Sequence, residues 1–122
     1  MASLNRVQLI GRVGREPESK TTANDKHLCT FTLAVERRWK DRSGEVKKET
    51  DWFNMEAWGK TADICEKYGQ KGRLVFIEGQ LRTQRYESNG ETKYFTKTII
   101  DNIQFLDWRE EEPEMDVVEE TE

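Results

Sequence analysis

Residues 52–58 read Trp-Phe-Asn-Met-Glu-Ala-Trp, and the alternation inside this stretch decides the fold. A strand turns successive side chains to opposite faces. Trp52, Asn54, Glu56 and Trp58 therefore share one face, and Phe53, Met55 and Ala57 share the other. Only the second set reads as core. An indole carries a large apolar area and is normally buried unless something covers it. Trp52 and Trp58, six residues apart at about 3.3 Å per residue, stand roughly 20 Å from each other on the solvent face. One small ligand could not touch both rings, whereas a polymer could.

Upstream, residues 39–51 (WKDRSGEVKKETD) form a strongly charged stretch with a turn signal at Asp41–Gly44, which predicts an exposed hairpin arm. Before it, His27 to Glu36 alternates cleanly, with Cys29, Phe31, Leu33 and Val35 on one face and Leu28, Thr30, Thr32 and Ala34 on the other. A polar loop is expected from Pro17 to Lys26. Residues 5–13 (NRVQLIGRV) read as the first strand, with Gly11 as a bulge where a barrel strand bends.

Downstream, Thr61–Tyr68 is the single helical candidate. Thr61 is its expected N-cap, Ile64, Cys65 and Tyr68 form one stripe, and Gly69 is the stop. Residues 73–86 and 93–105 are long strands joined by the turn Ser88-Asn89-Gly90, with Gly79 as a second bend. The sum is five β segments with one short helix between the third and fourth. That order is the one of an all-β, five-stranded OB barrel. Other small barrels share the pattern.

The length of 122 residues fits one domain, expected to span 1–108, with an acidic, disordered tail at 109–122. The net charge of −4 hides a division. Residues 110–122 (EEEPEMDVVEETE) hold eight acids and no base, which leaves 20 bases against 16 acids in residues 1–109. The body is thus +4 and the tail −8, the pattern of a cationic module with an acidic appendage. No apolar run approaches the roughly 18 to 20 residues needed to cross a bilayer, and residues 1–6 lack a signal peptide's apolar stretch. A soluble, cytoplasmic protein without membrane partners is expected.

Cys29 and Cys65 lie 36 positions apart without a CxxC pair, so they read as buried thiols. His27 and Cys29 would share a strand face, but tetrahedral zinc needs four ligands and no others stand near, so no metal and no cofactor are expected. His27, the single histidine, reads as a surface residue. Gly11-Arg12-Val13-Gly14 lacks the lysine and spacing of a P-loop, and no carboxylate pair stands out, which argues against an enzyme.

Basic and aromatic residues interleave elsewhere as well. Trp39 is surrounded by Arg37, Arg38, Lys40 and Arg42, and Tyr86 by Arg82 and Arg85. Unpaired bases offer π-faces for stacking while each nucleotide presents a phosphate to the cations, so the pattern suits single-stranded nucleic acid. Three other readings stay open on the residues alone. An RNA-binding OB domain would look similar. A protein-interaction module could use the tryptophans as interface anchors. Any one ring could also cap a barrel end or pack between subunits.

Four stretches carry a resemblance. They are SLNRVQLIGRVGREPE at 3–18, WKDRSGEVKKETDW at 39–52, WGKTADICEKYGQKG at 58–72 and VFIEGQLRTQRY at 75–86. Together they resemble the bacterial and phage-type single-stranded DNA-binding proteins over about residues 1–108. The resemblance implies an OB barrel, a homotetramer, and a role in coating and protecting unwound DNA during replication, recombination and repair, in association with the nucleoid. It implies that Trp39, Trp52, Trp58 and Tyr86 stack on bases and that Arg42, Lys60, Lys71 and Arg85 contact phosphates. Relatives commonly have phenylalanine at position 58 and tryptophan at position 86, exchanges that keep a flat ring. They also carry a Gly/Pro/Gln-rich linker that ends in a tip of the type Asp-Asp-Asp-Ile-Pro-Phe and recruits replication and repair proteins. Here Trp108 passes directly into acids, so that recruitment is carried over to the acidic tail only in part.

Overall fold

The alternation that begins in residues 52–58 extends along every long strand. In the computed structural model, which describes residues 2–107, the elements are β1 (Val7–Val13), β2 (Glu18–Thr21), β3 (His27–Lys40), β4 (Val46–Trp58), α1 (Gly59–Tyr68), β5 (Leu74–Ser88) and β6 (Glu91–Phe105). The strands follow the order β1-β5-β6-β4-β3-β2. An additional pairing of β1 with β3, Arg12 opposite Ala34 and Val13 opposite Leu33, closes five of them into a barrel. The single helix among the described residues stands between the third and fourth barrel strands, as the sequence predicts. The acidic tail lies outside the described residues.

Inward-facing residues fill the barrel. Val13, Phe31, Leu33, Met55, Ala57, Val75, Ile77, Ile100 and Ile103 are buried, with Ala62 and Cys65 of α1 packed on them and Phe53 partly buried against the same cluster. Cys29 and Cys65 are buried free thiols, and burial pushes both thiols up from the ordinary range.

The structure differs from the sequence expectations in four places. The polar loop contains β2, paired with β3 from Glu18–Thr30 to Thr21–His27. Its four side chains are all exposed, so no apolar period marks it, and backbone pairing together with the Ser19–His27 contact holds it. Gly11 is no bulge, since the β1–β5 register runs unbroken through Gly11 opposite Val75. It is needed because β1 crosses close over β3, where a Cβ would meet the Ala34 carbonyl oxygen at 2.4 Å. The helix begins at Gly59, which takes φ 61° immediately after β4, so Trp58 and not Thr61 occupies the cap position, without a side-chain cap bond. His27 is no idle surface residue. Its Nδ1 faces Asp63 of α1, and its Nε2 meets the Ser19 hydroxyl and the Glu66 carboxylate, each at 3.1 Å, which ties the helix to the β2–β3 edge.

Gly79 does mark the expected bend, because the β5–β6 register shifts between Glu78 and Gly79. A latch closes the lower end of the barrel. The Arg73 guanidinium is fully buried and donates to Asp107 Oδ1 at 2.8 Å, to the Asp107 carbonyl at 3.0 Å and to the Tyr68 carbonyl at 2.7 Å. It lies 4.6 Å from the Phe105 ring centroid. Asp107 Oδ2 accepts the Leu74 N–H at 3.2 Å. Partial burial works against the charged carboxylate, but Arg73 and this N–H outweigh it and hold Asp107 below its ordinary range.

Two outcomes are expected. A Cβ at position 79 would lie 2.1 Å from the Ile99 carbonyl oxygen, a backbone atom that cannot swing aside. Gly79→Ala should therefore cost about 3 kcal/mol, seen as a lower Tm in thermal circular dichroism. Asp107→Asn removes the carboxylate that the buried Arg73 guanidinium meets at 2.8 Å and should cost about 3 kcal/mol near neutral pH, the low end for a broken buried pair because the carboxylate keeps some solvent. The folded-state pKa is depressed, so the native carboxylate's contribution is complete above the unfolded value of about 3.9 and is lost as pH falls through the folded value. The stability gap between wild type and Asp107→Asn, measured by urea melts, should narrow below about pH 4.

Candidate nucleic-acid interface

The outward face of β3 and β4 is built by register. Trp52 stands opposite Ala34, Asn54 opposite Thr32, Glu56 opposite Thr30 and Trp58 opposite Leu28. The small and medium side chains of β3 leave the two rings standing, with Trp52 60% and Trp58 38% exposed. Under Trp52 the chain is bare, since a Cβ on Gly14 would lie 2.6 Å from the ring and 2.6 Å from the Thr32 hydroxyl. One strand further out, Lys20 of β2 stands opposite Leu28 and extends the row beyond Trp58.

On the other side of β4, β6 runs parallel to it, with Met55 opposite Thr98 and Glu56 opposite Ile99. The outward face continues up the β5–β6 hairpin through the pairs Arg82–Lys97, Gln84–Phe95 and Tyr86–Lys93. Trp52, Trp58, Phe95 and Tyr86 thus occupy one continuous outward face, with Arg82, Lys93 and Lys97 among them. Phe95 is 42% exposed and escaped the sequence reading, because a lone phenylalanine in KYFTK looks like core. Counting alternate residues from Tyr86 through the turn register would have found it.

Trp39 lies on the other side of its arm. It stands opposite Lys47, on the face that continues from Leu33 and Val35, with the Arg37 guanidinium 5.4 Å from its ring centroid. Likewise Arg85 stands opposite Tyr94, on the face that continues from Leu81 and Thr98, away from Tyr86. Tyr94 is 67% exposed and is a second ring the sequence reading missed. Because β4 and β6 are parallel, both arms leave the barrel at the same end.

Charges on the β3–β4 arm largely satisfy one another. Arg37 pairs with Asp51 and Glu49, each at 2.7 Å, and Asp51 raises its pKa further. Glu36 is held below its ordinary range chiefly by the hydrogen bond from Arg38. The predicted phosphate contacts behave differently. Arg42 sits at the arm tip, Lys60 in the first turn of α1 two residues after Trp58, and Lys71 in the loop after α1, where its N–H donates to Glu16 at 3.2 Å. Among the described residues none of the Arg42, Lys60, Lys71 or Arg85 side chains enters an ion pair. Arg42 and Lys60 flank β4 at its opposite ends, and the four do not form one cluster.

A closed five-stranded OB barrel with a row of exposed rings on its outward face defines the class. The single-strand binding protein family profile matches residues 4–106, and the chain belongs to that family. It is 44% identical over 105 residues to single-stranded DNA-binding protein 1 of Chlorobaculum tepidum, an alignment covering 84% of this chain and 65% of that protein. It is 41% identical to single-stranded DNA-binding protein 2 of Streptococcus agalactiae, covering 86% of this chain and 79% of the relative. The chain thus spans somewhat under two thirds of the first relative and more of the second. Among solved structures it is similar to the Plasmodium falciparum SSB in complex with ssDNA, with TM-score 0.81, 37% identity and coverage of 88% and 98% of the two chains. It also resembles a deletion mutant of the single-stranded DNA-binding protein from Thermus aquaticus, with TM-score 0.76, 27% identity and coverage of 87% and 52%. The family is one of binding proteins and not of enzymes.

A methyl at position 14 has to displace both the Trp52 ring and the short Thr32 side chain. Gly14→Ala should therefore shift the tryptophan emission and lower Tm, at a cost of about 1–3 kcal/mol, measured by fluorescence and thermal melts of the same sample.

Proposed function

We propose that this chain binds single-stranded DNA without reading its sequence, bases stacking on Trp52, Trp58, Phe95 and Tyr86 along the outward face and on Trp39 across the arm. Arg42, Lys60, Lys71 and Arg85 serve as phosphate contacts, joined by Lys20, Arg82 and Lys93. One observation carries the reading: large rings stand in solvent on strands whose alternate residues fill the barrel. The solved relative that bears ssDNA supports it. The chain's role is then to coat unwound DNA in replication, recombination and repair, in the cytoplasm at the nucleoid. No helix among the described residues is long and apolar enough to cross a membrane.

Self-association supports wrapping of a longer strand. β1 pairs with β3 only at Arg12 and Val13, so Val7–Ile10 has an edge opposite β5 that a second copy can extend, with Ile10 exposed beside it. A homotetramer is the assembly proposed, and the acidic tail is the contact proposed for replication and repair proteins.

Stacking is worth about 1–3 kcal/mol per base, a range drawn from single-stranded-DNA-binding OB folds themselves. Trp52→Ala should therefore weaken oligo-dT binding by roughly 5- to 150-fold in fluorescence anisotropy with labelled DNA. The logarithm of affinity should fall with log salt at about −0.7 per neutralised phosphate. Oligo-dT that fails to bind at low salt would refute the proposal, and tighter binding of matched oligo-rU would transfer it to RNA.

A further inference from the structure

One acid stands in the middle of the proposed stacking face. Glu56 lies between Trp52 and Trp58 on β4, and its side chain is only 12% exposed. Its Oε1 accepts the Lys97 ammonium at 2.7 Å, and its Oε2 accepts the Trp58 indole Nε1–H at 2.7 Å. Lys97 is itself only 17% exposed. An isolated carboxylate here would be poorly solvated and would repel phosphates. Both oxygens instead hold short, charge-assisted partners, and Lys97 cancels the charge.

Among the described residues the indole N–H groups of Trp39 and Trp52 take part in no hydrogen bond, so the Trp58 anchor is particular to that ring. We infer that Glu56 is a positioning residue for the Trp58 ring. It holds the N–H edge toward the sheet and leaves the flat face presented, while the Lys97 ammonium, 2.7 Å from the carboxylate, offsets its charge toward the bound strand. A ring already fixed loses less rotational freedom when a base settles on it. The inference rests on the single-stranded DNA reading for its consequence, but the anchor itself can be observed without DNA.

The test uses the full chain in four forms, wild type, Glu56→Ala, Glu56→Gln and Trp58→Phe, together with Glu56→Ala in the Trp58→Phe background. First, the Trp58 indole proton is located by NMR as the resonance lost in Trp58→Phe. It should exchange slowly in wild type and in Glu56→Gln, whose amide oxygen still accepts, and rapidly in Glu56→Ala. Second, labelled oligo-dT binding should weaken roughly three- to tenfold in Glu56→Ala. Glu56→Gln should recover most of this, and Glu56→Ala should add nothing in the Trp58→Phe background. An indole proton unmoved by Glu56→Ala, or an equal loss of affinity with and without the Trp58 indole, overturns the inference. Should Glu56→Ala not fold, Glu56→Leu combined with Lys97→Met replaces the pair by apolar groups of similar volume, a change folds commonly tolerate. It must show the same rapid exchange and the same loss of coupling to Trp58. Absent binding by wild type defeats the DNA reading alone, whereas wild-type binding with no coupling defeats the anchor alone.

Discussion

The barrel interior is already full when β3 and β4 pair, and the rest follows from that. Phe53, Met55 and Ala57 occupy the inward positions against Phe31, Leu33 and Cys29, so a period of two leaves Trp52 and Trp58 no inward alternative. Slipping the strand by one residue would bury both indoles and the Glu56 charge while expelling three apolar side chains. Closure of the barrel through Arg12–Ala34 and Val13–Leu33 removes that freedom. The exposed rings are thus a consequence of where the core ends, and the buried Arg73–Asp107 latch secures the last strand of that core.

Beyond the barrel the same alternation continues into two arms, and there it divides the site. Residues that face inward in the barrel have no core to enter once the strand leaves it. Trp39 and Tyr94 therefore stand in solvent on the inner sides of the arms, while Trp52, Phe95 and Tyr86 stand on the outer side. Parallel pairing of β4 with β6 sends both arms from one end of the barrel. In the proposed binding mode, a strand that reaches Trp39 as well as the outward rings has to pass over the arm.

The barrel, its helix and the division of residues 52–58 were legible because each rests on periodicity carried by apolar residues. What escaped the sequence rests on other physics. β2 is held by backbone bonds between exposed side chains, so no pattern announces it. Gly11 looked like a bulge because a close crossing of two strands and a bend both demand glycine. His27 was read as idle because its partners Asp63 and Glu66 come from an element 36 and 39 positions away. Arg85 and Tyr86 were grouped as neighbours in sequence, although neighbours on a strand face opposite ways, and Trp39 was grouped with Trp52 by composition without carrying the alternation through the hairpin. Phe95 was missed for the converse reason, since only the register of β5 with β6 brings it beside Tyr86.

The proposed lack of sequence preference rests on how the polar groups near the rings are spent. Reading a base edge needs an unsatisfied donor or acceptor aimed at it, as in bidentate contacts to guanine or adenine. Two charged groups beside the rings are already engaged, one on the outward face and one across the arm. Glu56 is held by Lys97 and Trp58, and Arg37 beside Trp39 is held by Asp51 and Glu49. Arg42, Lys60, Lys71 and Arg85, outside the described ion pairs, sit on arms, a helix turn and a loop, while Lys20, Arg82 and Lys93, also outside them, stand on the outward face. In the proposed mode, bases meet ring faces, which every base can use, and phosphates meet cations outside the described ion pairs, which every nucleotide can use. On that reading, the pairing of Glu56 with Lys97 offsets a charge on the stacking face without adding a group that reads a base edge.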